Sequence, residues 1–513
     1  MRAWLARRPV LGLLLAGGVT ATALPPLYLL PALLGFGVLV AALHRDRPGP
    51  AIAFLRGTAF GFGLFLAGLY WVGIAFFADA ERFGIYAVPA VLGLALLLAL
   101  TAGLAAALVA LRRWRSLEAQ ALAFAAAWTL AEPLRGALGL QFPWNPIASV
   151  WAISDVTLQA VGWVGTYGLS LVTVAAASLT APLFLAGAAR RRAPLVAAAV
   201  LVLCLVAAGG LRLALGPEVP DTNVRIRIVQ ANIAQHHKWD PQKRLEWFQH
   251  HLTLSATPAQ LPPQIIVWPE SAVPYDIDGQ AEVRDYLAPA VPAAGVLLVG
   301  GDRYQFDREP PVAHNTLFVL GDRAEVLDRY DKVDLVPFGE FLPLRGVLGR
   351  LGLRKLTEGS VDFQPGEGRR TLHLPGLPPA SPLICYEAAF PAEATDPADR
   401  PAWLVNITND AWFGRSSGPY QHLAMARMRA VEEGLPLVRA ANTGISVVTD
   451  AYGRIRDELP LNQTGIIDAY LPGPLPRASF GRRHLIPVTL GLLLFAAGVS
   501  LLIERRALDI ARD

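Results

Sequence analysis

The chain has 513 residues, 53% of them hydrophobic and only 17% charged, which excludes a wholly soluble protein and identifies a membrane protein. Its formal net charge of +4 follows from how arginines are shared among short loops, as set out below, so the positive balance is no sign of a nucleic-acid partner.

Apolar runs lie at about 10–24, 27–43, 51–77, 85–111, 117–132, 156–186, 194–215 and 484–503. Most approach the roughly 20 residues that a spanning helix needs, and they predict about eight spans. The first is preceded by Arg7-Arg8 and followed by Ala21-Thr22-Ala23, features that a cleavable signal peptide shares. Pro25-Pro26 favours a retained helix that turns tightly into the second span.

Arginines set the orientation. Arg2, Arg7 and Arg8 precede the first span, Arg45, Arg47 and Arg56 flank the second connection, and Arg112, Arg113 and Arg115 fill the fourth. Arg190, Arg191 and Arg192 fill the sixth, and Arg505, Arg506 and Arg512 the tail, with Arg82 and Arg135 as exceptions on the other side. The positive-inside rule then predicts cytoplasmic termini and a large domain on the opposite face. The expected division is a seven-span membrane domain over 1–216, a catalytic domain over 217–476, a last span over 484–503 and a cytoplasmic tail over 504–513.

The long insert lacks any spanning run and is large enough to bury its own core. Apolar, β-branched stretches at 224–233, 264–270, 295–300, 315–320, 383–387, 403–408 and 446–449 predict buried strands. Asp240-Pro241 reads as the start of a helix with Leu245, Phe248 and Leu252 on its inner face. A second helix is predicted from Pro419 to Glu433, stopped by Gly434. Strands alternating with helices predict an α/β domain, and the Pro-rich joint at 472–476 leads into the last span.

Within this domain Cys385 is the one thiol, since the other cysteine, Cys204, lies in an apolar helix. A free thiol on the oxidising side of a membrane is a liability unless it does chemistry. Glu270 in Trp-Pro-Glu-Ser and Lys332 in Tyr-Asp-Lys supply an acid and an ammonium, each beside an apolar run, as at the rim of a sheet. A thiol near pKa 8.5 and a carboxyl near 4.3 are about four units apart, roughly 5.5 kcal/mol. Apolar Trp268 and Pro269 are expected to raise Glu270, and Lys332 to lower the thiol, closing the gap from both sides. Lys332 and the Tyr386 N–H would then serve a developing oxyanion, and acyl transfer through a thioester is the implied reaction. Taken singly, each residue has an ordinary reading: Cys385 as a small core residue, Lys332 as a solvated strand-end charge.

Glu270, Lys332 before Val-Asp-Leu-Val-Pro-Phe-Gly-Glu-Phe, and Cys385 before Tyr-Glu together resemble the Glu-Lys-Cys constellation of the nitrilase superfamily. With its flanking spans the whole chain is similar to the membrane-bound apolipoprotein N-acyltransferases of that superfamily. Also similar are Gln235-x-x-Lys238-Trp239-Asp240, His314-Asn315-Thr316, the run Thr408 to Gly414, Glu132 to Gly136, and Phe142-Pro143-Trp144. The resemblance implies a four-layer α/β/β/α domain facing the periplasm of a bacterial inner membrane. It assigns Glu270 as general base, Lys332 as stabiliser of tetrahedral intermediates and Cys385 as acyl carrier. It further implies that Glu340 positions Lys332 and that Trp239, Tyr386, Glu387, Asn315 and Trp412 shape the site or bind substrate. A phospholipid would donate the acyl chain, and the α-amino group of a diacylglyceryl-modified N-terminal cysteine of an apolipoprotein would accept it, with a monomeric enzyme and no cofactor. No metal is expected, because the adjacent pairs His236-His237 and His250-His251 lack helical ligand spacing and read as solvated. A membrane-anchored amide hydrolase would use the same three residues, and a non-catalytic scaffold would leave them unexplained.

Overall fold

The structure is a computed structural model that describes residues 8–137, 141–185, 192–238, 242–306, 311–343, 345–348, 350, 355 and 361–509. Trp239, Asp240 and Pro241 therefore lie outside the described residues. The chain separates into two compact units, one of residues 1–73, 86–216 and 479–513, the other of residues 74–85 and 217–478.

The first unit is helical. Among the described residues five helices are long and apolar enough to cross a membrane: Pro50–Gly68, Ala80–Ala110, Val161–Phe184, Arg192–Leu215 and Leu485–Asp509. The other three expected positions hold shorter helices, Pro9–Thr20, Leu34–Asp46 and Leu117–Ala131, so the structure supports five spans by length where the sequence suggests about eight. Proline accounts for two of the shortfalls: Pro31 sits in the 3₁₀ turn before Leu34, and Pro133 follows the helix ending at Ala131. Glu132 and Arg135, both buried, pair at 3.1 Å, and Arg135 also donates to Trp144 O at 2.9 Å. This binds the turn after Leu117–Ala131 to the following segment.

The second unit is a sandwich of two sheets. Its strands are β1 Asp221–Gln230, β2 Ile265–Val267, β3 Val296–Gln305, β4 Val312–Leu320, β5 Val326–Asp331 and β6 Ala380–Ile384. They continue with β7 Trp403–Thr408, β8 Leu437–Ala441, β9 Ser446–Thr449, β10 Ile455–Leu459 and β11 Gly465–Pro472. One sheet has the order β11-β1-β2-β3-β4-β5 and the other β10-β9-β8-β7-β6. Each contains three parallel strands, β1-β2-β3 inside the first sheet and β6-β7-β8 at one edge of the second, with antiparallel pairing beyond them.

Side chains alternate between two cores, as the pleat requires. Ile226, Ile228, Ile265, Val267, Val296 and Leu298 face Ile384, Trp403, Val405, Ile407 and Val438 of the other sheet. Their neighbours Val229, Ile266, Leu297 and Val299 instead meet Phe248 of helix Arg244–Ser255 and Val283 and Leu287 of helix Ala281–Leu287. On the far side Leu404 and Leu437 pack on Ala426 and Ala430 of helix Gly418–Glu433, which ends at Gly434 with φ 64°. The layers are thus α/β/β/α.

Two local expectations are corrected. In helix Arg244–Ser255 the inward face is Phe248, His251, Leu252 and Ser255, while Leu245 is exposed, so the buried stripe begins one turn later than the apolar pattern suggests. His251 is accordingly not solvated: it is buried with its ring 4.9 Å from that of Trp268.

Candidate active site

The carboxyl ends of the parallel strands and the end of β5 converge on one place, the usual location of sites in sheets of this kind. Glu270 lies three residues beyond β2, Cys385 directly after β6 and Lys332 directly after β5. Cys385 is not within a strand. It opens the 3₁₀ turn Cys385–Ala389, with φ 51°, a left-handed backbone that turns the chain sharply at the thiol.

Lys332 Nζ donates to Glu340 Oε1 at 2.9 Å and to Glu270 Oε1 at 3.3 Å. Asn315 Nδ2 bridges the same two oxygens at 2.9 and 2.7 Å. The Cys385 thiol is near enough to the Glu270 carboxylate to help lower its pKa. Lys332 is 1% exposed and Glu270, Glu340 and Cys385 are buried as well, so these charges act in a medium where each contact counts for more than in water. β4 makes this possible: Asn315 pairs with Asp302 of β3, and Lys332 N donates to Asn315 O at 2.8 Å. Close approach of the Glu270 turn depends on Gly300, where a Cβ would stand 2.6 Å from Pro269 O and 2.7 Å from Glu270 Cα.

The electrostatics reverse the expectation from sequence. Burial, the largest influence on Glu270, pushes its pKa up, but Lys332, the Asn315 bond, Lys238 and the Cys385 thiol outweigh it and hold the carboxyl below its ordinary value. Trp268 contributes no raising wall of the expected kind, since its ring packs in the helix-side core and its Nε1 donates to Ser255 Oγ at 2.8 Å. Burial and the adjacent Glu270 carboxylate push the Cys385 thiol far up, against the pull of Lys332. Lys332 itself loses charge preference to burial but regains more from Glu340 and Glu270, so its ammonium is firmly held. At rest the proton therefore sits on sulfur, and were this sulfur to attack with Glu270 as its base, the proton would move during the attack rather than beforehand.

Glu387 ties the elements together. Its Oε1 accepts from Tyr330 OH at 2.9 Å, Val333 N at 2.7 Å and Arg369, and its Oε2 accepts from Ile384 N at 2.6 Å. One buried carboxylate thus links the residues on both sides of Lys332 to the residue before Cys385. Tyr386 is buried with its ring 5.3 Å from that of Phe390. Trp412 is half-buried on the turn Asp410–Phe413 and makes no hydrogen bond or ion pair with the three central residues among the described residues. Trp239 is outside the described residues.

Sequence reasoning missed a buried group behind the thiol. His422 Nε2–H donates to Cys385 O at 2.9 Å, and its Nδ1 lies 2.8 Å from Asp410 Oδ1. Arg439 donates to Asp410 Oδ2 at 2.7 Å and to Asn406 Oδ1. These side chains fix the carbonyl of the strained residue. The available signal was Arg439, a charge in the otherwise apolar strand Leu437–Ala441, where a buried guanidinium demands partners.

Residues 225–474 match the carbon-nitrogen hydrolase family and residues 16–179 the apolipoprotein N-acyltransferase N-terminal domain. The chain is 39% identical over 503 residues to the apolipoprotein N-acyltransferase of Rhodopseudomonas palustris, covering 94% of this chain and 93% of that one. It is also 39% identical over 484 residues to the enzyme of that name from Caulobacter vibrioides, covering 90% and 88%. An amidase from Nesterenkonia sp. is similar in structure at 21% identity and a TM-score of 0.34, over 50% of this chain and 93% of that one. With both domains matched in order and relatives aligned along nearly its whole length, this chain belongs to the apolipoprotein N-acyltransferase family.

Proposed function

We propose that the chain is an acyltransferase that moves an acyl group from a membrane phospholipid, through a Cys385 thioester, to the α-amino group of the diacylglyceryl-modified N-terminal cysteine of an apolipoprotein. The observation that carries the mechanism is the burial, at the ends of neighbouring strands, of the Cys385 thiol and of a carboxylate whose oxygen is shared by Lys332 and Asn315. In the first half-reaction Cys385 Sγ attacks the ester carbonyl while its proton passes to Glu270. Lys332 spends two of its N–H donors on Glu340 and Glu270, and the third, with the Tyr386 N–H, meets the oxyanion. The C–O bond then breaks, Glu270 returns the proton to the lysophospholipid oxygen, and the thioester remains. In the second half-reaction the neutral amine attacks the thioester, Glu270 takes the amine proton, the C–S bond breaks and Cys385 recovers its proton. An α-amino group with a pKa of about 7.7–8.0 supplies enough neutral amine near pH 7.

In the same reading the catalytic unit faces the periplasm of a bacterial inner membrane. The arginine asymmetry of the short loops supports this orientation, and the eight apolar runs of the sequence support eight spans, in an enzyme that we take to be monomeric. An alkaline phosphatase fused near Gly366 should be active, and a cytoplasmic reporter active there would sink the orientation.

The deciding experiment for the chemistry is mass spectrometry of the purified protein after incubation with mixed phosphatidylethanolamine and phosphatidylglycerol micelles. An acyl mass on the peptide containing Cys385, discharged by a diacylated lipopeptide with a free amine, is the expected result. Release of free fatty acid with no lipopeptide product would mark an amide or ester hydrolase, and normal transfer by Cys385→Ala would remove the thioester mechanism.

A further inference from the structure

Lys238 is a second buried ammonium that the reaction as written does not use. It is 7% exposed, and its Nζ donates to the backbone carbonyl of Glu270 at 3.0 Å. The segment before it is pinned to the other sheet: Asn409 Nδ2 donates to Gln235 Oε1 at 2.7 Å, and Asn442 Nδ2 donates to Asn409 Oδ1 at 3.0 Å and to Ile233 O at 2.6 Å. Lys238 also lines a cavity of about 10 Å³ with Glu270, Ser271, Trp247 and His251.

Two features show that the charge, and not merely a donor, is wanted here. Holding one carbonyl needs only a neutral amide or hydroxyl, whereas burying an ammonium costs several kcal/mol unless nearby charge offsets it. The imidazole that shares the cavity is not that offset: burial drives His251 down to a pKa of about 4, and its Nδ1–H donates to Trp247 O at 2.9 Å. Its Nε2 has no hydrogen-bond partner among the described residues and faces the cavity as a bare acceptor. The anionic groups around Lys238 are instead Glu270 from the β2 end, Asp302 from β3 and, when ionised, Cys385 from the β6 end.

We infer that Lys238 is a positioning cation for the general base, holding the Glu270 turn through its carbonyl and setting a second positive charge beside the Glu270 carboxylate. The inference rests on Glu270 being the base in the proposed function. Glu270 is faced by Lys332, Asn315, Lys238 and Cys385, with Asp302 adding negative charge beside Lys238. Burial lowers Lys238 to about 8 and raises half-buried Asp302 to about 6, so the second cation is present at neutral pH and fades as the medium turns alkaline. Loss of that cation makes Glu270 more basic and therefore protonated at higher pH.

The test is the pH profile of the first half-reaction alone, acylation of Cys385 from the mixed phosphatidylethanolamine and phosphatidylglycerol micelles with no acceptor amine present. Removing an opposite charge at this range shifts a carboxyl by about one unit or more. Lys238→Met should therefore move the acid limb up by about that amount, and Lys238→Arg, which keeps the charge, should restore it towards the parental position. An acid limb that stays in place in Lys238→Met, or moves equally in both variants, overturns the inference. Should Lys238→Met fail to fold, the parent and Lys238→Arg decide: an inflection near pH 8 in the parent that is missing from Lys238→Arg supports it, and identical profiles overturn it. Cys385→Ala and Glu270→Gln run alongside keep the two levels apart, because acylation by either would defeat the underlying mechanism, while their silence with an unmoved Lys238→Met profile defeats the lysine alone.

Discussion

Lys332→Met removes one ammonium and keeps the length of the stem. In the parent that ammonium lies 2.9 Å from Glu340 and 3.3 Å from Glu270, all three side chains being buried, and the two carboxylates also share Asn315. Breaking a buried pair by deleting one partner typically costs about 3–5 kcal/mol. Protonation of one carboxyl relieves part of this, which gives the loss a pH signature. In the parent, Glu270 lies below its ordinary pKa, so its contacts stabilise the fold above the unfolded value of about 4.3 and that stability is lost as pH falls through the folded value. In Lys332→Met the carboxyl is raised instead, and stability falls as pH climbs from about 4.3 through the new folded value. The two melting curves should nearly meet at pH 4 and separate most above pH 7. Acyl transfer to a diacylated lipopeptide should drop by about 10²–10³ for the lost oxyanion donor, and further where Glu270 is protonated. Turnover within tenfold of the parent at pH 8, or a melting gap of equal size at pH 4 and pH 8, would refute the account of this lysine.

Three further outcomes follow from the same geometry. In a Cys204→Ala background, iodoacetamide should alkylate resting Cys385 more slowly than free cysteine at pH 7–8, with a rate still rising at pH 10, because burial and the Glu270 carboxylate keep the thiol protonated; a plateau below pH 8 would show a preformed thiolate. Gly300→Ala places a methyl 2.6 Å from Pro269 O and 2.7 Å from Ser271 N, backbone atoms with little freedom to retreat. It should cost about 1–3 kcal/mol by denaturant titration and depress acylation of Cys385 through a displaced Glu270. Glu387→Gln removes one of the two carboxylate partners of half-buried Arg369, leaving Asp334, and sets an amide donor among N–H groups, so a loss of about 1–3 kcal/mol and slower acylation are expected, and an unchanged melting temperature would count against its tying role.

How much of this was legible in sequence depends on what each residue is asked to do. Strands buried on both faces, such as Trp403–Thr408 and Ser446–Thr449, are mainly apolar and β-branched, and their limits can be read directly. Val326–Asp331 and Ile455–Leu459 escape notice because they lie at sheet edges, half-exposed and rich in charge, where tertiary pairing rather than apolar pattern makes the strand. Leu437–Ala441 is hidden for the opposite reason: Arg439 interrupts a buried run, and only the Asp410 and Asn406 contacts from other segments explain it. Two of the apolar runs form helices shorter than the sequence suggests, where Pro31 precedes Leu34 and Pro133 follows Ala131.

The site divides in the same way. A thiol, an acid and an ammonium at strand ends are visible because each stands beside an apolar run, but the direction of their pKa shifts is not, since it depends on which charges the fold brings within reach. Sequence neighbours of Glu270 are apolar and argue for a raised carboxyl, whereas its spatial neighbours are two ammonium groups, an amide and a thiol, which lower it. The same partners that bring acid and thiol together therefore hold their pKa values further apart than in water. A site so arranged has no standing thiolate to lose to oxidants or stray electrophiles, and it can transfer the proton only when an ester or thioester carbonyl begins to accept the sulfur or amine electrons. In the proposed mechanism Lys332 would gain most from the reaction, because its spare donor would meet a charge that exists only in the tetrahedral state, where stabilisation raises the rate rather than merely tightening substrate binding.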